Sequence, residues 1–167
     1  ADMTGARLNG IGGAQMKLCG TILYGADLRI AELANADLSR ADLRGSCLRG
    51  TNLTSATLVE ADLREGTIAI RDAGDLATIE FNTMATDMAV SSLKGANLSG
   101  ANLEDADLSG ADLHDANLNE AKLDRAVLSG TILEGKVNLF GATMNGADLR
   151  RVRASGAALA GLAMRRS

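Results

Sequence analysis

Leucine recurs every five residues. From Leu23 to Leu63 nine positions spaced by five are all Leu, and the nine from Leu93 to Leu133 are Leu again. Two residues before most of these centres stands a small side chain, such as Ala26, Ala31, Ser46, Thr51 or Ala96. One residue before stands mostly Asp or Asn, such as Asp27, Asp42, Asn52, Asp62, Asn97 and Asp112. Of the 19 glycines, 15 fall two residues after a centre. A period of five fits neither a helix of 3.6 residues per turn nor a flat strand of two. It fits a short extended run followed by a corner, with glycine where the corner needs positive φ. Four such units close one square coil, so positions i and i+20 fall in register. Stacked coils bring those positions into parallel ladders, at roughly 4.8 Å per coil. The chain of 167 residues then makes about eight coils and a rod of about 40 Å.

Composition agrees and excludes other classes. Proline is absent, as expected where every coil edge must donate to a ladder. Aromatics are two Phe and one Tyr, because a square interior sized for Leu plus Ala has little room for rings. High glycine argues against long helices, and the lack of proline with no three-residue glycine period argues against collagen. No apolar run is long enough to cross a bilayer as a helix, which takes roughly 18 residues or more. A net charge of −4 is too mild to name a nucleic-acid or membrane partner.

Tandem Ala-Asp/Asn-Leu-x-x resembles the pentapeptide-repeat family. The resemblance runs unbroken over 21–65 and 91–135 and weaker over 1–20 and 137–166. It implies an all-β fold, a right-handed quadrilateral β-helix, built as a single domain over residues 1–167. Regular coils are expected over 1–65 and 93–135, an irregular insert near 66–92, and frame-shifted coils over 137–166 after a one-residue bulge near 134–137. The first coil is expected to be frayed or partly irregular, since Gly13 takes one of its centres. For 66–92 three arrangements stand. One is a bulged coil with centres at Leu76 and Phe81. Another is a hairpin with strands 67–70 and 76–81. The third is a short helix from Asp75.

The chain carries little that looks like chemistry. His114 follows its centre and faces outward in an acidic run, without a nucleophile to serve. Cys19 and Cys47 are separated by more than one coil and fewer than two, so they are not stacked neighbours and a structural disulfide is not expected. Stacked Asp42 and Asp62 suggest a metal ladder, but Arg44 and Arg64 stack beside them and can neutralise them. The Asp/Asn positions are therefore read as side chains that hydrogen-bond the coil. No phosphate loop or hydrolase motif is present. Neither an enzyme activity nor a cofactor or metal is expected.

The remaining signals point to protein partners. Residues 96–124 hold seven acids against one lysine, and 135–167 hold six bases against one acid. The candidate interaction surface is Arg71, Asp72, Asp75 and Glu80 of the insert with Glu104, Asp105, Asp107, Asp112 and Asp115 of the acidic run. An uncapped β-helix end invites stacking, so Leu159, Leu162 and Met164 are the candidate end for a homodimer of C-terminal coils. The expected role is a non-enzymatic scaffold for another protein, neither nucleic acid nor membrane. The alternative, implied by the resemblance, is a DNA mimic acting on gyrase in the manner of quinolone-resistance proteins. Net −4 is a poor imitation of a duplex with one charge per about 1.7 Å. The location expected is the cytoplasm, or the periplasm if residue 1 follows a removed signal peptide.

Overall fold

A computed structural model describes residues 1–71 and 79–154. The five-residue unit folds the same way in each regular coil. The centre carbonyl accepts a hydrogen bond from the N–H three residues on, as Leu23 does from Ala26 at 3.0 Å. The residue before that donor has positive φ, +61° at Gly25. That conformation is easy for glycine, which explains the locked glycines. It is held also by residues other than glycine, among them Asn35, Arg40, Glu60, Asp105 and Arg125.

The Asp or Asn before each centre builds the same corner from the side. Its Oδ1 accepts the N–H two residues on: Arg29 to Asp27 at 3.2 Å, Thr54 to Asn52 at 3.1 Å, Ser109 to Asp107 at 2.9 Å. These are Asx turns, which short acceptor side chains make and longer ones do not. The polar position is thus structural, as its spacing suggests.

Units 20 apart pair in parallel. The first face stacks Asp2, Ile22, Asp42, Asp62, Asn102, Lys122 and Thr143. The second stacks Arg7, Asp27, Cys47, Asp87, Asp107, Val127 and Asp148. The third runs from Gly12 through Glu32, Asn52, Ser92 and Asp112 to Ile132. Ile132 in turn pairs with Arg153 through two short strands that continue this ladder. The fourth stacks Lys17, Asp37, Thr57, Asn97, Asn117 and Asn138. Leu centres and small residues fill the interior, with Leu23 through Leu63 and Leu93 through Leu133 essentially inaccessible. Where the small residue is Ser or Thr, its hydroxyl donates to a backbone carbonyl, as Thr51 does to Leu28 at 2.7 Å and Ser91 to Met88 at 2.7 Å. Buried hydroxyls are thereby satisfied.

Two expectations are corrected. The first coil is not frayed, because Asp2, Arg7, Gly12 and Lys17 all pair with the second coil. Gly13 is tolerated at a centre because the side chains of Leu33 and Met16 occupy the space its Cβ would take. The irregular segment is also shorter than 66–92. The coil resumes at Thr86, and Asp87 pairs with Cys47, so the ladder there steps over two coils' length of sequence instead of one. One coil's length of chain is looped out. It forms strands β1 (Gly66–Arg71) and β2 (Ile79–Met84), antiparallel, with Gly66 opposite Met84 and Arg71 opposite Ile79. The hairpin arrangement is therefore the observed one, with its second strand running on to Met84 instead of ending at 81, and Phe81 lies on that strand instead of a coil edge. The looped-out chain adds no coil to the rod. The strands that close the third ladder are β3 (Ile132–Leu133) and β4 (Arg153–Ala154).

After Leu133 the ladder spacing becomes 21, as in Asn117 with Asn138, so one residue is inserted at the Glu134–Val137 corner. Asp115 secures that bulge, its Oδ1 accepting the Lys136 N–H at 2.6 Å. Among the described residues no helix is long and apolar enough to cross a membrane.

Candidate functional site

The hairpin leaves the coil at the corner between the first and second faces. Gly66 makes that exit possible. A Cβ on it would sit 3.0 Å from the Gly45 nitrogen and 3.1 Å from the Arg44 carbonyl oxygen, so two glycines meet back to back. Thr86 closes the corner from the other side. Its hydroxyl lies 2.8 Å from the Arg64 carbonyl and 3.1 Å from the Leu43 carbonyl, and accepts the Gly45 N–H at 3.0 Å. The break in the coil is a constructed junction with its polar groups satisfied.

Charged side chains stack along this corner around the junction. Arg44, Arg64, Glu65, Glu104, Asp105 and Arg125 line a shallow open cleft. Arg44 binds Asp42 through two nitrogens at 2.8 and 2.7 Å, and its guanidinium lies over the Tyr24 ring at 5.2 Å. Arg64 binds Asp62 the same way at 2.9 and 2.7 Å. Arg125 reaches back one coil to Asp105 at 2.8 and 2.6 Å, with Glu104 3.9 Å away. Paired forks of this kind are geometrically specific. The hydrogen bond from Arg44 holds the Asp42 carboxyl below the usual carboxylate range, and Arg125 does the same to Asp105. The Arg44 and Arg125 guanidinium groups are raised in turn by those bonds.

The acidic run does not form one face. Glu104 and Asp105 sit at the hairpin corner, Asp107 on the second face, Asp112 on the third and Asp115 at the corner after it. All belong to one coil, so a cluster in sequence becomes a belt around the rod. Most of it is also engaged: Asp112 pairs with Lys94 at 3.1 Å, Glu104 and Asp105 pair with Arg125, and Asp115 accepts the Lys136 N–H at 2.6 Å. Only Glu104 and Asp105 are brought to the hairpin root. Arg71 and Glu80 lie on the two strands, opposite Ile79 and Ile70. Asp72 and Asp75 of the hairpin, and the candidate dimer end Leu159, Leu162 and Met164, lie outside the described residues. The stacked Arg44 and Arg64 were legible from their 20-residue spacing. Arg125 over Asp105 carried the same signal, while Gly66 was marked instead by standing outside the glycine frame.

Cys47 is half-buried, and burial pushes its thiol up, away from reactivity. Among the described residues no cluster of His, Cys, Asp and Glu is placed to hold a metal.

A family model described as pentapeptide repeats matches the chain in eight copies, over residues 17–50, 31–66 and 91–135. Among solved structures, the chain is similar to QnrB1, a plasmid-mediated fluoroquinolone resistance protein. The identity is 21%, the match covers 93% of this chain and 80% of that one, and the TM-score is 0.51. That likeness shows the fold. HetL, a pentapeptide repeat protein involved in heterocyst differentiation regulation in the cyanobacterium Nostoc sp. strain PCC 7120, is 29% identical over 98% of this chain and 72% of its own, with a TM-score of 0.33. A pentapeptide repeat protein of the Arabidopsis thaliana thylakoid lumen is 26% identical over 83% of this chain and 72% of its own, with a TM-score of 0.39. No curated protein matches the chain.

Proposed function

This chain belongs to the pentapeptide-repeat family, whose fold is the right-handed quadrilateral β-helix, and we propose on that premise that it is a non-enzymatic scaffold for another protein. The contact we assign is the 66–84 hairpin together with the charged corner at its root. One observation carries this reading. A coil's length of chain pairs with itself instead of extending the ladder, at a junction where Gly45, Gly66 and Thr86 leave the rest of the rod regular. Irregular segments held on rigid scaffolds are where binding concentrates. The Arg44, Arg64 and Arg125 forks beside it offer paired charge that orients a partner more than it attracts one.

The test is affinity capture from the native cell with the intact chain and with a version lacking residues 66–85. Joining Glu65 to Thr86 restores uninterrupted five-residue units, so the deleted protein keeps its rod. Partners lost on deletion support the reading, and an identical capture list overturns it. The alternative is action on gyrase, suggested by the family resemblance and by the fluoroquinolone resistance role of QnrB1. The belt-like, largely paired carboxylates of this chain disfavour it. A supercoiling assay with gyrase and a quinolone decides: no protection at micromolar protein dismisses that alternative.

A further inference from the structure

The corner between the second and third faces carries an unusual column. The column of positive-φ residues ends at Arg151, before which stand, in stacking order, Gly10, Ile30, Gly50, Val90, Gly110 and Gly130. Their N–H groups bond the next coil, as in Ile30 to the Arg49 carbonyl at 3.0 Å and Val90 to the Ser109 carbonyl at 2.9 Å. Ile30 has φ +52° and Val90 φ +51°. β-Branched residues rarely enter this region, because Cβ crowds the backbone. Both are also solvent-facing, Ile30 at 66% and Val90 at 58%. Two strained apolar side chains thus stand on one edge, two coils or roughly 10 Å apart, separated and followed by bare glycines. Strained positions of this kind persist where something else is gained.

We propose that this edge is a self-association surface whose occupant is a second copy of the chain, lying antiparallel. A two-fold axis perpendicular to both rods pairs the column with itself in reverse order. Two registers seat both side chains on the partner's glycines. One of them sets Arg29 against the partner's Arg49 and is rejected by like charge. The other sets Ile30 on the partner's Gly110 and Val90 on the partner's Gly50. Ile30, the partner's Val90, Val90 and the partner's Ile30 then alternate along the seam, like the teeth of a zipper. The neighbouring column obeys the same register without conflict: Arg29 faces the partner's Ser109 and Arg49 the partner's Ala89. A parallel pairing fails, since a two-fold axis along the rods meets Ile30 with Ile30 and Val90 with Val90 and leaves the glycines facing each other. Arg29 stays neutralised by Asp27 at 2.7 Å, and Arg49 lies 3.8 Å from Asp87. Edge contacts are small, so the association belongs to the weak class below about 1,200 Å² and is populated at high protein concentration.

Two measurements test this on the whole chain. In a Cys19→Ser/Cys47→Ser background, the double variant Arg29→Cys/Ser109→Cys is oxidised at high concentration. The two new thiols of one chain are three coils, roughly 14 Å, apart and cannot bridge internally, given a limit of about 7 Å between Cα atoms. The expected product is a covalent dimer from the double variant and none from either single variant. Equal cross-linking by the single variants, or no dimer from the double, overturns the register. Sedimentation equilibrium of Ile30→Asn/Val90→Asn supplies the second reading. Asn enters the positive-φ region more readily, so the melting temperature does not fall while self-association weakens at least tenfold. A wild-type chain that stays monomeric at about 1 mM, or an Asn variant that associates as well as wild type, overturns the proposal.

Discussion

Removing residues 66–85 should stabilise the protein, and the structure sets the size of the effect. Glu65 and Thr86 then become neighbours, and the sequence reads Ala61-Asp62-Leu63-Arg64-Glu65-Thr86-Asp87-Met88, with the five-residue frame intact. Asp62 already pairs with Asn102 and Asp87 with Cys47 and Asp107, so no ladder bond is broken. The hairpin is a lone two-stranded ribbon, of the kind that is marginal in isolation, and its own bonds offset little more than their ordering. Its closure is a loop of about 20 residues, costing roughly 2.7 kcal/mol by the logarithmic loop law. Against this, Glu65 must take up positive φ like the other corners, at about 1 kcal/mol for a side chain that is not glycine. The net gain is about 1–2 kcal/mol, or a rise of roughly 2–8 °C in melting temperature for a chain of this size. Adding Glu65→Gly to the deletion should recover about 1 kcal/mol more. Thermal unfolding followed by circular dichroism checks both. A loss of about 2 kcal/mol or more, a size that marks a damaged core, would show that the hairpin belongs to the core and would refute the reasoning. A collapse of the β signal would do the same.

Two further outcomes are expected. Leu108 is fully buried and Ser109 partly exposed, so Leu108→Asp should lose roughly 4 kcal/mol or more while Ser109→Asp stays within about 0.5 kcal/mol; equal melting temperatures would contradict the inward assignment. Acid should destabilise the rod, because hydrogen bonds from Arg29, Ser39, Arg44, Arg125 and Arg150 depress the folded carboxyls of Asp27, Asp37, Asp42, Asp105 and Asp148. A depressed carboxyl stabilises fully above its unfolded value near 3.9, and that stability is lost as pH falls through the folded value. A melting temperature level from about pH 5.5 to 7.5 and falling below about pH 4 is the expected profile, and one unchanged at about pH 2.5 contradicts it.

The candidate site was only partly legible before folding. Arg44 and Arg64 could be placed beside Asp42 and Asp62 because a 20-residue interval is a vertical neighbour in any such coil. The acidic run misled for the same reason. Residues close in sequence travel around the circumference, so Glu104 and Asp112 share a coil but not a face. The true neighbour of Asp105 is one coil away, at Arg125.

What the sequence by itself determined is the coil, since every unit carries its own reasons for bending. Leu and the small residue seek the interior, the Asx acceptor and glycine make the corner, and the absence of proline leaves the ladder whole. These are local preferences repeated in phase, and they need no distant information. The tertiary structure alone decided where 66–85 goes. That segment holds alternating apolar residues compatible with a coil edge or with a hairpin. The choice rests on contacts far apart in sequence: Gly45 against Gly66, Thr86 against Leu43 and Arg64, and Cys47 reaching Asp87 across the gap. It likewise set Ile30 and Val90 on a single edge two coils apart, a separation that holds only once the looped-out hairpin has left the rod.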